Sequence, residues 1–137
     1  MARFTARCSC DAVRCTIDHD IQTVVNCHCT DCRRMSGCAF SSIVVTPAVA
    51  VEIAQGVEIL RAYALSPAVT KHFCSRCGTA VFNTNTRLPG LQMFYLGTID
   101  GHEALAPSLN VYCRSKLAWV DRIAELESHA AVPGLET

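Results

Sequence analysis

The chain has 137 residues, half of them hydrophobic and 18% charged, with a formal net charge of zero. This fits one folded domain with a modest core; the balanced charge argues against binding to bulk phosphate backbone, which needs a basic surplus, and no apolar run reaches the ~20 residues of a membrane span. Met1 to Arg7 carry no hydrophobic signal core, so the expectation is a cytoplasmic protein with no membrane or nucleic-acid partner.

In chain order, Phe4 to Cys8 and Val13 to Ile17 read as short strands around a turn at Ser9-Cys10-Asp11. After the polar turn Asp18-His19-Asp20, Thr23 to Val25 leads as a strand into Cys27-His28-Cys29-Thr30-Asp31-Cys32-Arg33-Arg34. Thr30 or Asp31 is placed to cap one or two helical turns that run through Met35 and stop at Gly37. Phe40 to Thr46 is rich in β-branched residues and ends at Pro47. Val51-Glu52-Ile53 and Val57 to Tyr63 flank Gln55-Gly56 like a hairpin. Ser66-Pro67 marks a loop, and Val69 to Phe73 is a strand that delivers Cys74-Ser75-Arg76-Cys77-Gly78, whose glycine suits a tight knuckle turn. Ala80 to Asn83 and Leu91 to Ile99 read as strands around a loop at Thr84 to Gly90, the second bending at Gly97. Gly101 to Pro107 is irregular, Leu109 to Cys113 is a strand, and Lys116 to Val120 is a helical turn. No linker or repeat breaks the chain: one domain is expected over residues 1–127, with a loose tail over 128–137. Many short strands and little helix specify an all-β or β-rich fold.

Ten cysteines are too many to be incidental. In a reducing compartment, close-spaced thiols signal metal rather than disulfides. Seven lie in clusters: Cys8 and Cys10, Cys27, Cys29 and Cys32, Cys74 and Cys77. Two closed four-ligand zinc sites need eight ligands, so seven divide into four and three. Joining the two isolated pairs puts Cys8, Cys10, Cys74 and Cys77 in a closed structural site. Cys27, Cys29 and Cys32 remain; Cys27 and Cys29 point the same way on an extended segment, and three ligands with an open fourth position mark a reactive zinc. A zinc ribbon built from the two C-x-x-C knuckles is the rival pairing, but its linker far exceeds the usual ~15–20 residues and it strands three cysteines.

Cys15, Cys38 and Cys113 are expected as small buried side chains, with Cys38 also placed to reach the second metal as a fourth ligand. Strand alternation turns His28 away from Cys27 and Cys29, toward the surface or a supporting position. Arg33 and Arg34 read either as a solvated helix face or as substrate-binding cations beside a metal-bound thiolate. Trp119 is expected in the core, and His72 on a strand.

Cys8-Ser9-Cys10-Asp11-Ala12-Val13, Cys27 to Gly37 and His72 to Thr79, with Leu88-Pro89-Gly90 and Leu96 to Asp100, resemble the glutathione-dependent formaldehyde-activating enzyme family, also called centromere-protein-V-like. The resemblance runs to about Trp119. It implies an Mss4-like fold of small antiparallel sheets and the same division of metal ligands: Cys8, Cys10, Cys74 and Cys77 structural, Cys27, Cys29 and Cys32 catalytic. It also implies two zinc ions per chain and addition of a thiol such as glutathione to formaldehyde, formally a carbon–sulfur lyase in reverse. Asp11 departs from the family's usual glycine, and Cys38 from its usual small residue. The alternative is a non-catalytic zinc-stabilised binding module, which a second site closed by Cys38 would favour. A homodimer is compatible with either reading.

Overall fold

A computed structural model describes residues 3–135. The strands are β1 (Arg3–Arg7), β2 (Arg14–Asp18), β3 (Thr23–Cys27), β4 (Ser41–Pro47), β5 (Val51–Gln55), β6 (Leu60–Ala64), β7 (Val69–Cys74), β8 (Ala80–Asn85), β9 (Leu91–Tyr95) and β10 (Leu109–Val111). The α-helix is α1 (Thr30–Ser36), and short 3-10 turns fill much of the remainder. The β-rich fold expected from the sequence is present.

The strands form a three-stranded sheet, β1-β2-β5, and a seven-stranded sheet, β10-β3-β4-β9-β8-β7-β6. The main core draws Ala6, Cys15 and Ile17 from the small sheet and Val24, Val44, Val81, Phe82 and Phe94 from the large one. Strands alternate faces, so Val44 and Phe94, paired in register, point into this core while their neighbours point away. Those neighbours are Ile43, Val45 and Met93, and they are apolar too, joined by Val25 in a separate cluster on the sheet's other face. A sheet face that met only water would be polar here. Instead, α1 and the chain around β10 lie over part of it, and a cavity occupies the remainder.

The expected hairpin around Gln55-Gly56 does not form. β5 pairs with β2 and β6 with β7, so the chain passes from one sheet to the other at this turn. Gly56 has φ +87 and lies so close to the backbone of Ala12 and Val13 that a Cβ would sit 2.2 Å from the Ala12 carbonyl oxygen. Gln55 Nε2 donates to the carbonyls of Asp11 and Ala12. The turn is therefore chosen by the knuckle beneath it rather than by its own flanking strands.

Other boundaries also move. β9 stops at Tyr95, and Leu96–Thr98 make a 3-10 turn that returns Ile99 to the core. β10 stops at Val111 because Tyr112 adopts a left-handed conformation, φ 57. The expected turn at 116–120 becomes two short 3-10 turns within Ala118–Glu125, separated by a kink at Arg122, and Trp119 is exposed rather than in the core. Cys15 is fully buried as expected, whereas Cys38 and Cys113 are exposed. Residues 128–135 are exposed.

Candidate metal centres

The sequence pairs Cys8 and Cys10 with Cys74 and Cys77, and the structure brings these four sulfurs within 4.8 Å of one another. Four sulfurs at ~2.3 Å from one zinc would be about 3.8 Å apart at the tetrahedron's edge. Cys8 Sγ lies 3.6 Å from Cys10 Sγ, which lies 3.8 Å from Cys74 Sγ, so the cage already has the dimensions of a closed zinc site. Backbone amides are aimed at the sulfurs: Val13 N–H donates to Cys8 Sγ at 3.3 Å and Arg76 N–H to Cys74 Sγ at 3.4 Å. A hydrogen bond with the Thr79 hydroxyl, 3.2 Å from Cys77 Sγ, leads in holding the Cys77 thiol down to about 5.

Asp11 does not distort the first knuckle. Its φ of 67 is left-handed, a conformation glycine adopts freely and aspartate tolerates better than most residues. The Arg14 guanidinium grips its carboxylate and holds it below the usual range.

The second group is Cys27, Cys29 and Cys32, again with all sulfurs within 4.8 Å. Cys27 ends β3, and Cys32 lies in the first turn of α1. Cys29 itself caps that helix: its sulfur accepts from Cys32 N–H at 3.1 Å, so the cap is Cys29 rather than Thr30 or Asp31. Gly37, at φ 72, stops the helix as its sequence position indicates. A hydrogen bond with Cys32 leads in drawing the Cys27 thiol down to about 6; the same bond and burial push Cys32 up. Three sulfurs this close resist carrying three negative charges together, so a soft cation is the natural counterion. The donor chemistry of both groups fits zinc.

Among the described residues, no fourth His, Cys, Asp or Glu joins the second group. Cys38 is exposed, its sulfur 3.7 Å from the Ser36 carbonyl oxygen. His28 turns away from the sulfurs, as alternation requires, but is 1% exposed and packed on Phe40 rather than at the surface. Its Nε2 meets Asn110 Oδ1 at 3.2 Å, and its backbone N–H donates to Val111. Arg33 Nη1 donates to the carbonyls of His28 and Ser115, bracing the metal knuckle against the chain after β10. Arg34 is exposed.

The three sulfurs open on a cavity of about 400 Å³. Besides Cys27 and Cys32, its buried lining comes from Met35 of α1, Ile43 of β4, Val69 of β7, Asn83 of β8 and Met93 of β9. Its exposed lining includes Arg87, Leu88, Tyr112 and Arg114. Arg33 and Arg34 are not part of this wall; Arg87 and Arg114 are. Neither arginine in the wall carries a sequence signal, because the loop after β8 and the turn after β10 meet only in three dimensions.

A family model described as glutathione-dependent formaldehyde-activating enzyme matches residues 3–115. A crystal structure of a Rhodobacter sphaeroides protein is similar in fold, with a TM-score of 0.64 at 18% identity, covering 78% of this chain and 99% of that one.

Proposed function

The chain belongs to the glutathione-dependent formaldehyde-activating enzyme family, and we propose that it is a zinc-dependent carbon–sulfur lyase acting on a thiol adduct of the glutathione-plus-formaldehyde type. The observation that carries this reading is the trio Cys27, Cys29 and Cys32, converged to within 4.8 Å beside a cavity with no fourth protein donor among the described residues. Cys8, Cys10, Cys74 and Cys77 would hold a structural zinc, and the trio a catalytic one, giving two per chain. When bound at the trio, zinc supplies an open Lewis-acid position where a thiol becomes acidic at neutral pH.

The net reaction needs no oxidant. The thiol sulfur bonds to the carbonyl carbon, the carbonyl π bond breaks, and the thiol proton ends on the oxygen, giving an S-hydroxymethyl adduct; the reverse cleaves the carbon–sulfur bond. The chain's own part is to position and to desolvate. Met35, Ile43 and Met93 keep water from the reacting atoms, and a less polar surrounding strengthens each charge interaction there. Arg87 and Arg114 offer guanidinium forks to substrate carboxylates. Arg33 and His28 hold the knuckle in register with the turn that carries Arg114. A binding module closed by Cys38 fits this geometry less well, since Cys38 faces solvent. Ten cysteines, none in a disulfide among the described residues, suit a reducing compartment such as the cytoplasm.

Proton exchange spectroscopy on formaldehyde and glutathione tests the assignment. Zinc-loaded protein should accelerate exchange between free aldehyde and adduct, and Cys29→Ser should abolish the acceleration while leaving a folded chain. No acceleration from protein carrying two zinc ions would overturn it.

A further inference from the structure

We propose that the cavity beside Cys27, Cys29 and Cys32 is built for a thiol, or thiol adduct, with an apolar carbon skeleton and a carboxylate at its far end. This rests on the lyase reading and narrows its substrate class. A volume of about 400 Å³ lies within the range of pockets that enclose small organic molecules, far more than a one-carbon aldehyde fills. The floor is the second face of the large sheet. Ile43 is 4% and Met93 6% exposed, and Val25 and Val45 join them. The polar side chains of the wall's buried and half-buried part are Asn83, Asn85 and Ser115, with Thr30, Asp31, Tyr112 and the arginines in its exposed part; Asn85 already accepts from the backbone N–H of Arg87. Peptide amides laid over such a floor would give up hydrogen bonds to water with few replacements. Methylenes would lose nothing and gain burial.

Charge gathers at the exposed lining. Arg87 and Arg114 lie there against a single carboxylate among the described residues, Asp31. The Arg114 guanidinium rests over the Tyr112 ring, 5.4 Å from its centroid. Tyr112 holds a left-handed backbone that a non-glycine residue adopts at a cost, and the Arg33 bond to the Ser115 carbonyl helps keep this turn in place. The sulfurs are buried or half-buried and the arginines exposed, so a ligand spanning the two places its thiol inward, its chain along the sheet and its anion outward.

Calorimetry with zinc-loaded protein tests this directly. The probes are 3-mercaptopropionate, 6-mercaptohexanoate and 8-mercaptooctanoate, with the mercaptoalcohol of each length and glutathione. Each added methylene should raise affinity about three- to fourfold until the cavity is full. Acids should exceed the matching alcohols by about ten- to a hundredfold, and that advantage should vanish in the double variant Arg87→Ala, Arg114→Ala. Val45→Thr should weaken 8-mercaptooctanoate more than 3-mercaptopropionate. Affinity that is flat with chain length, or glutathione binding more tightly than 8-mercaptooctanoate, overturns the proposal. X-ray absorption at zinc separates the two levels of inference. If short thiols enter the metal's shell without a chain-length gain, the lyase reading stands and the apolar substrate falls; if no thiol enters, both fall.

Discussion

Cys15 is fully buried, and burial pushes its thiol up to about 11. At pH 7.5 such a group is almost wholly protonated and unreactive, because the thiolate is the nucleophile. Cys38 and Cys113 are exposed and belong to neither metal group. Iodoacetamide added to zinc-loaded protein should therefore modify Cys38 and Cys113 within the time that leaves Cys15 untouched, as read by peptide mass mapping. Early modification of Cys15 would contradict the packing. Asp11 is the other single residue whose conformation makes a sharp prediction. Its left-handed φ of 67 means that Asp11→Gly should melt at or above the temperature of Asp11→Ala, even though both lose the contacts with Arg14 and Arg7. The reverse order in thermal melting would show that the knuckle turn relaxes.

The turn at Gly56 joins the two sheets and touches the first metal knuckle. A Cβ there meets the Ala12 carbonyl oxygen at 2.2 Å and carries a φ of +87. Gly56→Ala should cost about 1–3 kcal/mol from the backbone conformation alone, with the clash added to it. Chemical denaturation should show the loss, and zinc at the first site should be released at a lower chelator concentration than in wild type. A variant as stable as wild type would mean that the turn shifts freely from the knuckle. β4 and β9 show the same dependence on distant partners. Their alternating residues Ile43, Val45 and Met93 are as apolar as Val44 and Phe94, so the period alone does not say which face is core and which is cavity.

For the molecule as a whole, the two cysteine groups occupy different mechanical positions. Cys8 and Cys10 follow β1, while Cys74 ends β7 and Cys77 follows it, so the first cage ties the small sheet to the large one. Zinc in such a site contributes about 10–16 kcal/mol in small peptides, comparable with the ~5–15 kcal/mol stability of a whole domain. Elemental analysis of protein purified without chelator should find two zinc ions per chain. Cys74→Ser should abolish soluble yield, whereas Cys29→Ser should give a folded chain with one zinc. A benign Cys74→Ser beside an unfolding Cys29→Ser would reverse the two roles, and one zinc per chain with the metal in excess would remove the second site altogether.

The chain's order of cysteines was enough to divide seven thiols into groups of four and three, and the fold gathers the same two groups, because thiols two or three residues apart lie close together along the chain. The β-rich class was legible for a similar local reason: short β-branched runs between turn residues have few other folded states. Gly37 and Gly78, both left-handed where the sequence placed a helix stop and a knuckle turn, are local in the same way. The partners of β5 and β6 were not legible, nor was the exposure of Trp119, nor the placing of Arg87 and Arg114 on the cavity. Each of these depends on which segments, distant along the chain, meet in the folded molecule. Sequence spacing specifies what neighbours along the chain can do together; only packing decides which distant residues share a wall.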